Sequence, residues 1–339
     1  MRRPGCGALL VTAAAAWPAA ARAGVPMSYL SGSGTKAYPV VALTWGLAII
    51  SAAVVIIIAV LLLWGVAART QANAFGPLNA AVERTSAGVS WITIGVGISS
   101  VALVVSLIWT VAVLASVAMP PKPPLTIEVT GHQWWWEARY VNPDPTQVFA
   151  TANELHIPTG EPVRVVLHGA DVIHSFWVPA LTGKTDTIPG QTNETWLEAD
   201  RAGRYQGMCT EYCGLQHAHM MVFVTAESPA AFEAWRRAQV QPAAAPANPD
   251  LTAGEQLFVL KCGACHAVRG TDAGGHVAPD LTHLMSRQTI AAGAAPNTPA
   301  GLSGWIADPQ SVKPGTLMPT LYLSGPEIKS VRTYLETLQ

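Results

Sequence analysis

Charge is what this chain has least of. Only 12% of its 339 residues are charged, 20 Lys and Arg against 21 Asp and Glu, for a formal net charge of −1. A chain so close to neutral carries no electrostatic footprint for a phosphate backbone, which excludes a nucleic-acid-binding role. Cysteine is scarce too, five in all, and the last four fall as pairs in two short motifs. The length allows two modest domains plus something apolar.

The shortage of charge is concentrated. Residues 40–68 and 85–121 contain no charged side chain, and each stretch can supply the roughly 20 apolar residues that cross a bilayer. Two buried helices of a soluble domain are the plainer alternative. Trp45, Trp64 and Trp91 suit membrane interfaces, and Pro120, Pro121, Pro123 and Pro124 stop the second stretch. The expected spans are residues 40–68 and 89–119, joined by a cytoplasmic loop, 69–88. Residues 1–23 read as a secretory signal peptide: Arg2 and Arg3, a short apolar run, then Ala21-Arg22-Ala23 as a cleavage site. Cys6 goes with it. An exported start (24–39) and two spans place everything after residue 121 outside; Arg69 and Arg84 against Glu83 add little to that parity argument.

From Leu125 to about Ala226 short β-rich runs alternate with turn residues, around Thr126–Thr130, Val163–Leu167, Thr195–Glu198 and Met221–Val224. Within this region lies Cys209-Thr-Glu211-Tyr-Cys213-Gly-Leu-Gln-His217-Ala-His-Met220. Zinc sites favour C-x2-C pairs without a thioether, whereas thiolate, Met and His together select copper. One copper needs one Cys; two Cys fit two ions bridged by both sulfurs. Each ion then wants an imidazole, and Asp171-Val-Ile-His174-Ser-Phe-Trp-Val-Pro179 is the best source of the second. A Cys209–Cys213 disulfide is the alternative for an exported protein. His219 is out of phase with His217 and Met220 and reads as structural; His132, His156 and His168 read as ordinary hydrogen-bonded histidines. In Trp134-Trp135-Trp136, strand alternation puts the first and third on one face.

Residues 237–250 form a Pro/Ala linker, read as semi-rigid and extended. Beyond it, Cys262-Gly-Ala-Cys265-His266 is C-x-x-C-H, the attachment sequence of c-type haem: both thiols become thioethers and His266 the proximal ligand. A C-x-x-C redox pair is the alternative. For the sixth ligand Met318, in Lys313-Pro-Gly-Thr-Leu-Met318-Pro, competes with Met285, His276 and His283. A Met/His pair would raise the haem potential. Ser324-Gly-Pro-Glu327 is a capping box opening a helix with Ile328, Val331, Leu335 and Leu338 on its apolar face. With two thiols for copper and two for haem, no disulfide is needed.

The copper loop and the Asp171–Pro179 segment together resemble the binuclear CuA site of cytochrome c oxidase subunit II, and the Met318 loop and Ala278-Pro279-Asp-Leu resemble class I cytochromes c. The resemblance implies a multidomain membrane protein: a two-helix transmembrane hairpin, a cupredoxin-like all-β CuA domain (122–236) and an all-α cytochrome c domain (251–339). It further implies bridging sulfurs from Cys209 and Cys213, terminal His174 and His217, axial Met220 and the Glu211 carbonyl. The Glu211 side chain would help hold magnesium against subunit I, and Trp134 would be where electrons reach copper. Trp135 stands where the family often has Tyr. The expected function is that of subunit II of a caa-type oxidase in a bacterial inner membrane, with subunits I and III as partners. Its donor would be a cytochrome c or a cytochrome bc complex; quinol donors go with relatives lacking the copper ligands. Many relatives carry a Glu at the start of the second span; Glu83 is the nearest acid here and receives no role. Two rival readings are the CuA subunit of a nitric oxide reductase and a membrane-anchored redox or copper carrier.

Overall fold

A computed structural model of the chain describes residues 27–69, 86–118 and 125–339. The expected signal peptide, Glu83, Arg84 and the prolines from Pro120 to Pro124 lie outside the described residues. The charge-free runs form helices α1 (Ala37–Arg69) and α2 (Ser86–Ala118). Both are long and apolar enough to cross a membrane, and most of their described Ile, Val and Leu side chains are exposed, as lipid requires and water does not. They meet where Gly46 lies under the Trp109 ring; a Cβ there would come within 2.3 Å of it.

The β domain sits on the outer ends of both helices. Trp196 Nε1 donates to Val117 O at 2.8 Å, and Lys36 Nζ donates to Thr195 Oγ1 at 2.6 Å. The domain has ten strands: β1 (Leu125–His132), β2 (Trp135–Tyr140), β3 (Phe149–Ala152), β4 (Glu154–Pro158), β5 (Val163–Gly169), β6 (His174–Trp177), β7 (Thr185–Thr187), β8 (Asn193–Leu197), β9 (Gly203–Cys209) and β10 (Met221–Glu227). One sheet runs β3-β2-β1-β5-β8, the other β4-β10-β9-β6-β7. The β1/β5 and β4/β10 pairs are parallel. Alternate residues point inward: Ile127 and Val129 from β1, Val163, Val165 and Leu167 from β5, and Val222 and Val224 from β10 are fully buried. The result is the expected cupredoxin-like sandwich.

Helix α3 (Pro229–Gln239), capped by Ser228, closes the domain. The haem-motif region then folds as α4 (Pro249–Cys262), the short strands β11 (Thr289–Ile290) and β12 (Ala295–Pro296), and helices α5 (Pro299–Ala307), α6 (Pro309–Val312) and α7 (Gly325–Leu335). The capping box of Ser324 and Glu327 is present. Helix α7 buries Val331, Tyr334 and Leu335 against Phe258 of α4 and against Leu302 and Ile306 of α5. Gly254 lets α4 and α7 cross closely, since a Cβ would lie 2.7 Å from Ser330 O.

The segment between α3 and α4 departs from the extended spacer expected of its composition. Ala243 N donates to Arg269 O at 2.9 Å, the His283 ring lies 3.2 Å from Gln241 O, and Asn248 caps α4. Proline and alanine leave a backbone free to follow a surface, and here the surface of the helical domain takes it.

The two extramembrane domains are joined by polar contacts as well as by the chain. Glu154, buried in β4, accepts from Gln288 N (3.0 Å), Thr289 N (3.2 Å) and Thr289 Oγ1 (3.2 Å). On the copper-domain side Arg204 Nη2 lies 3.1 Å from the same carboxylate. Arg269 Nη2 donates to Val148 O at 3.2 Å.

Candidate metal centre

Three strand ends of the second sheet converge on one point. Strand β9 ends at Cys209, β6 begins at His174 and β10 begins just after Met220. Phe176 pairs with Cys209 in the β6/β9 ladder, Cys209 N donates to Met220 O at 3.0 Å and Thr210 N to Ser175 O at 3.0 Å. These ladder bonds hold the loop 210–220 in register, so its donors are placed by backbone geometry. The first sheet closes the site from the other side: Gly131, in β1, lies so near His174 that a Cβ would meet its ring at 2.9 Å.

The six expected copper donors come together. Cys209 Sγ and Cys213 Sγ are 3.7 Å apart, both thiols are free, and the gap is far beyond a disulfide bond. His174 Nδ1 lies 3.9 Å from Cys209 Sγ, and His217 Nδ1 lies 3.5 Å from Cys213 Sγ. Met220 Sδ is 3.9 Å from Cys213 Sγ and the Glu211 carbonyl oxygen 3.2 Å from Cys209 Sγ. His174, Cys209, Cys213 and Met220 are all buried.

The electrostatics ask for a cation. The contact with Cys213 draws the Cys209 thiol down, helped by His174; the same contact pushes Cys213 up, and burial adds to it. Two buried sulfurs this close cannot both ionise unaided, and a positive ion between them removes the conflict. Thiolate, imidazole and thioether together suit copper, so the residues present fit a two-copper centre.

A supporting shell fixes the ligands. Asp171 Oδ1 is 2.8 Å from His174 Nε2, which turns Nδ1 towards the sulfurs. Although burial of each opposes it, this pairing and the Cys209 contact hold His174 above its usual value, while bonds from His174 and from the Gln133 and Val172 amides hold Asp171 below its own. The Cys213 carbonyl accepts from Trp134 Nε1 (2.9 Å) and Gln133 Nε2 (2.7 Å). Trp134 precedes β2 rather than sitting in it, yet it is buried with Trp136, while Trp135 lies on the outer face and stacks on His132 at 4.4 Å. His219 is structural: Nδ1 lies 2.7 Å from Gln216 Oε1. The Glu211 carboxylate is exposed, 3.7 Å from Lys184 Nζ.

In the helical domain Cys262 is half-buried and Cys265 exposed, both as free thiols. His266 Nδ1 donates to Pro279 O at 2.7 Å, which leaves Nε2 as the free donor, and burial pulls the ring below its usual value. That donor set fits a covalently attached haem. Among the candidates for a sixth ligand, both ring nitrogens of His283 are engaged, by Gln339 O and Gln241 O. Met285 packs against the domain's apolar cluster. His276 is exposed in the cleft between the two domains. Met318 lies between α6 and α7, its carbonyl accepting from Gln310 Nε2 at 2.9 Å.

Sequence reasoning passed over four residues that hold these sites: Asp171 as a histidine partner, Gln133, Gln216 and Lys313. Asp171 had a signal, a carboxylate three positions before a ligand histidine. The other three act across long sequence separations. Burial pulls the Lys313 ammonium down to about 7, and its partners are described below.

The family model described as "Cytochrome C oxidase subunit II, periplasmic domain" matches residues 141–227, and the model described as "Cytochrome c" matches residues 251–339. A protein named probable cytochrome c oxidase subunit 2 from Rickettsia bellii is 32% identical over 182 residues, covering 44% of this chain and 68% of that relative. The chain belongs to the cytochrome c oxidase subunit 2 family. A second subunit 2, from Alkalihalophilus pseudofirmus, is 40% identical over 215 residues, 63% of this chain and 61% of its own length. The crystal structure of the periplasmic domain of subunit II of cytochrome oxidase from Bradyrhizobium japonicum matches at 37% identity and a TM-score of 0.34, covering 36% of this chain and 96% of that one. The chain spans about three fifths of the first curated relatives it matches. As a subunit 2 with a cytochrome c domain, it carries a fold that implies copper in its β domain and haem c in its helical one.

Proposed function

We propose that this chain is the electron-accepting subunit II of a caa-type cytochrome c oxidase in a bacterial inner membrane, with both extramembrane domains on the periplasmic face. The observation that carries the reading is the convergence of six copper donors on three neighbouring strand ends, with two buried thiols 3.7 Å apart. Cys209, Cys213, His174, His217, Met220 and the Glu211 carbonyl would hold two copper ions, and Cys262, Cys265, His266 and Met318 would hold the haem. When bound, these groups supply the one-electron chemistry that links a donor cytochrome c or bc complex to subunit I, where oxygen is reduced to water with proton translocation.

The chain's own residues do the holding, orienting and drying. Asp171 fixes the tautomer and angle of His174, and the Pro279 carbonyl does the same for His266. The apolar inner faces of both sheets keep water from the sulfurs, which limits rearrangement when charge changes. Trp134 is the point where electrons enter the copper domain: it is 8% exposed, its indole N–H is bonded to the Cys213 carbonyl, and its ring faces Gly315 of the haem domain. The Glu211 carboxylate would help hold a magnesium ion against subunit I, and subunit III completes the complex.

The test is metal analysis with electron paramagnetic resonance on the full-length chain in its complex. The expected result is two coppers sharing one unpaired electron and one covalently held haem. Cys213→Ser removes the shared-copper spectrum and leaves the haem attached. A spectrum that survives the change overturns the ligand assignment.

A further inference from the structure

The loop carrying Met318 does not float over the copper domain. Lys313, at its start, is 2% exposed. Its Nζ donates to Trp134 O at 2.6 Å, His219 O at 2.7 Å and Ala291 O at 3.0 Å. Two of those carbonyls belong to the copper domain and one to the haem domain, and an ammonium has three donors to give. No carboxylate is among these partners. Burying a cation against neutral dipoles alone is costly, so a lysine kept there is better explained by the position it sets than by the stability it adds.

The backbone beside it is fastened independently. Gln216 Nε2, in the copper loop, donates to Pro314 O at 2.7 Å. Gly315 turns with φ +84°, a conformation that favours glycine, and a Cβ there would be 3.2 Å from Leu215 and 3.5 Å from the Trp134 ring. Within the loop, Gln310 accepts from Gly315 N at 2.9 Å and donates to Thr316 O and Met318 O. Hydrogen bonds therefore link the Met318 loop to Trp134, through Lys313 Nζ and the Trp134 carbonyl, and Trp134 to the Cys213 carbonyl through its indole N–H.

We infer that Lys313 is a positioning residue: it bolts the Met318 loop onto Trp134, so that electrons pass from the haem domain to the copper domain across a fixed seat rather than through a search on a flexible tether. This rests on the copper and haem reading above. Glu154 and Arg269 hold the domains together elsewhere, so loss of the bolt loosens the loop without releasing the domain.

The test uses the full-length chain in its complex with copper and haem loaded, comparing wild type, Lys313→Met and Lys313→Arg. Amide hydrogen exchange is read at residues 313–318, together with haem potential, the copper resonance spectrum and the rate of electron transfer from reduced haem to copper. For Lys313→Met the expectation is faster exchange at Gly315 and Thr316, unchanged potential and copper spectrum, and transfer slowed about tenfold or more, as small misplacements do at reacting centres. Lys313→Arg keeps cation and donors and restores most of the rate; it also serves if the Met variant fails to assemble. Transfer at the wild-type rate in Lys313→Met, or slow transfer in Lys313→Arg despite unchanged exchange, overturns the inference. Absence of a shared-copper spectrum in the wild type would instead overturn the functional reading beneath it.

Discussion

The copper half and the haem half of this protein reach their chemistry by opposite routes. In the β domain the proposed ligands are pinned by ladder bonds and by the Asp171 carboxylate against the buried His174 ring. In the helical domain one attachment thiol is exposed, the other half-buried, and Met318 stays outside the apolar cluster that takes in Met285. The first site lies on strand ends of a sandwich whose core is filled by its own side chains. The second is built around a group large enough to act as part of the domain's own core. A metal held on strand ends changes local electrostatics; a haem held inside a small helical domain changes whether the domain is folded.

The largest expected effect breaks that comparison directly. Replacing Cys262 and Cys265 by Ala should cost the helical domain about 4 kcal/mol or more, since a tightly held group stabilises only the folded state. Hydrogen exchange across residues 251–339 should rise towards the unfolded rate while the copper spectrum persists. If the helical domain stays protected, the haem is a passenger and the contrast is wrong.

Next in size is the seam between the halves. Glu154 is 97% buried and serves Arg204, two backbone amides and the Thr289 hydroxyl. Glu154→Ala leaves all of them unpaired, at a cost of about 3 kcal/mol. Amide hydrogen exchange at Gln288 and Thr289, whose N–H groups bond to Glu154, should accelerate. Unchanged exchange would mean that the domains are held chiefly by Lys313 and Arg269.

A smaller effect separates the carboxylate beside His174 from the strand ladder as what sets the ligand's orientation. Asp171→Asn removes the charge that orients His174 without touching a ligand, and outer partners of this kind are worth about 10–100-fold in metal affinity. Copper titration should show that loss with both thiols still free. No change in affinity would assign the orientation of His174 to the ladder alone.

The same contrast explains what could be read from the sequence. The copper loop could be proposed from sequence because five of the six proposed donors lie within twelve residues, and His174 because a second imidazole is chemically required. C-x-x-C-H is likewise local. Lys313 was visible only as the first residue of the Met318 loop, since its acceptors lie 179, 94 and 22 positions away and no local pattern marks them. Four strands of the sandwich were read, while the short β6 and β7, whose His174-Ser-Phe-Trp and Thr-Asp-Thr runs carry little alternation, emerge only from pairing. The Pro/Ala segment misled because composition describes what a chain does in water, not what it does against a neighbouring surface.

The smallest effect concerns a histidine that serves neither site. His156, on β4, stacks on Trp235 at 4.2 Å and is largely out of solvent. Burial, with the nearby Arg204 cation, pulls it down to about 4. The folded protein therefore keeps a neutral ring at pH values where the unfolded chain, titrating near 6.5, takes up a proton. Stability should be unaffected above pH 6.5 and fall as the pH drops towards 4, by about 1.4 kcal/mol at pH 5.5. Glu227 Oε1 lies 3.2 Å from His156 Nδ1 but out of line for a hydrogen bond. Were that carboxylate to capture an imidazolium, the sign would reverse and stability would grow on acidification. Thermal unfolding of the β domain between pH 7 and 5, compared with His156→Gln, separates the two: the Gln variant should flatten a falling curve, and a rising one would place the charge of Glu227 in command of the stack.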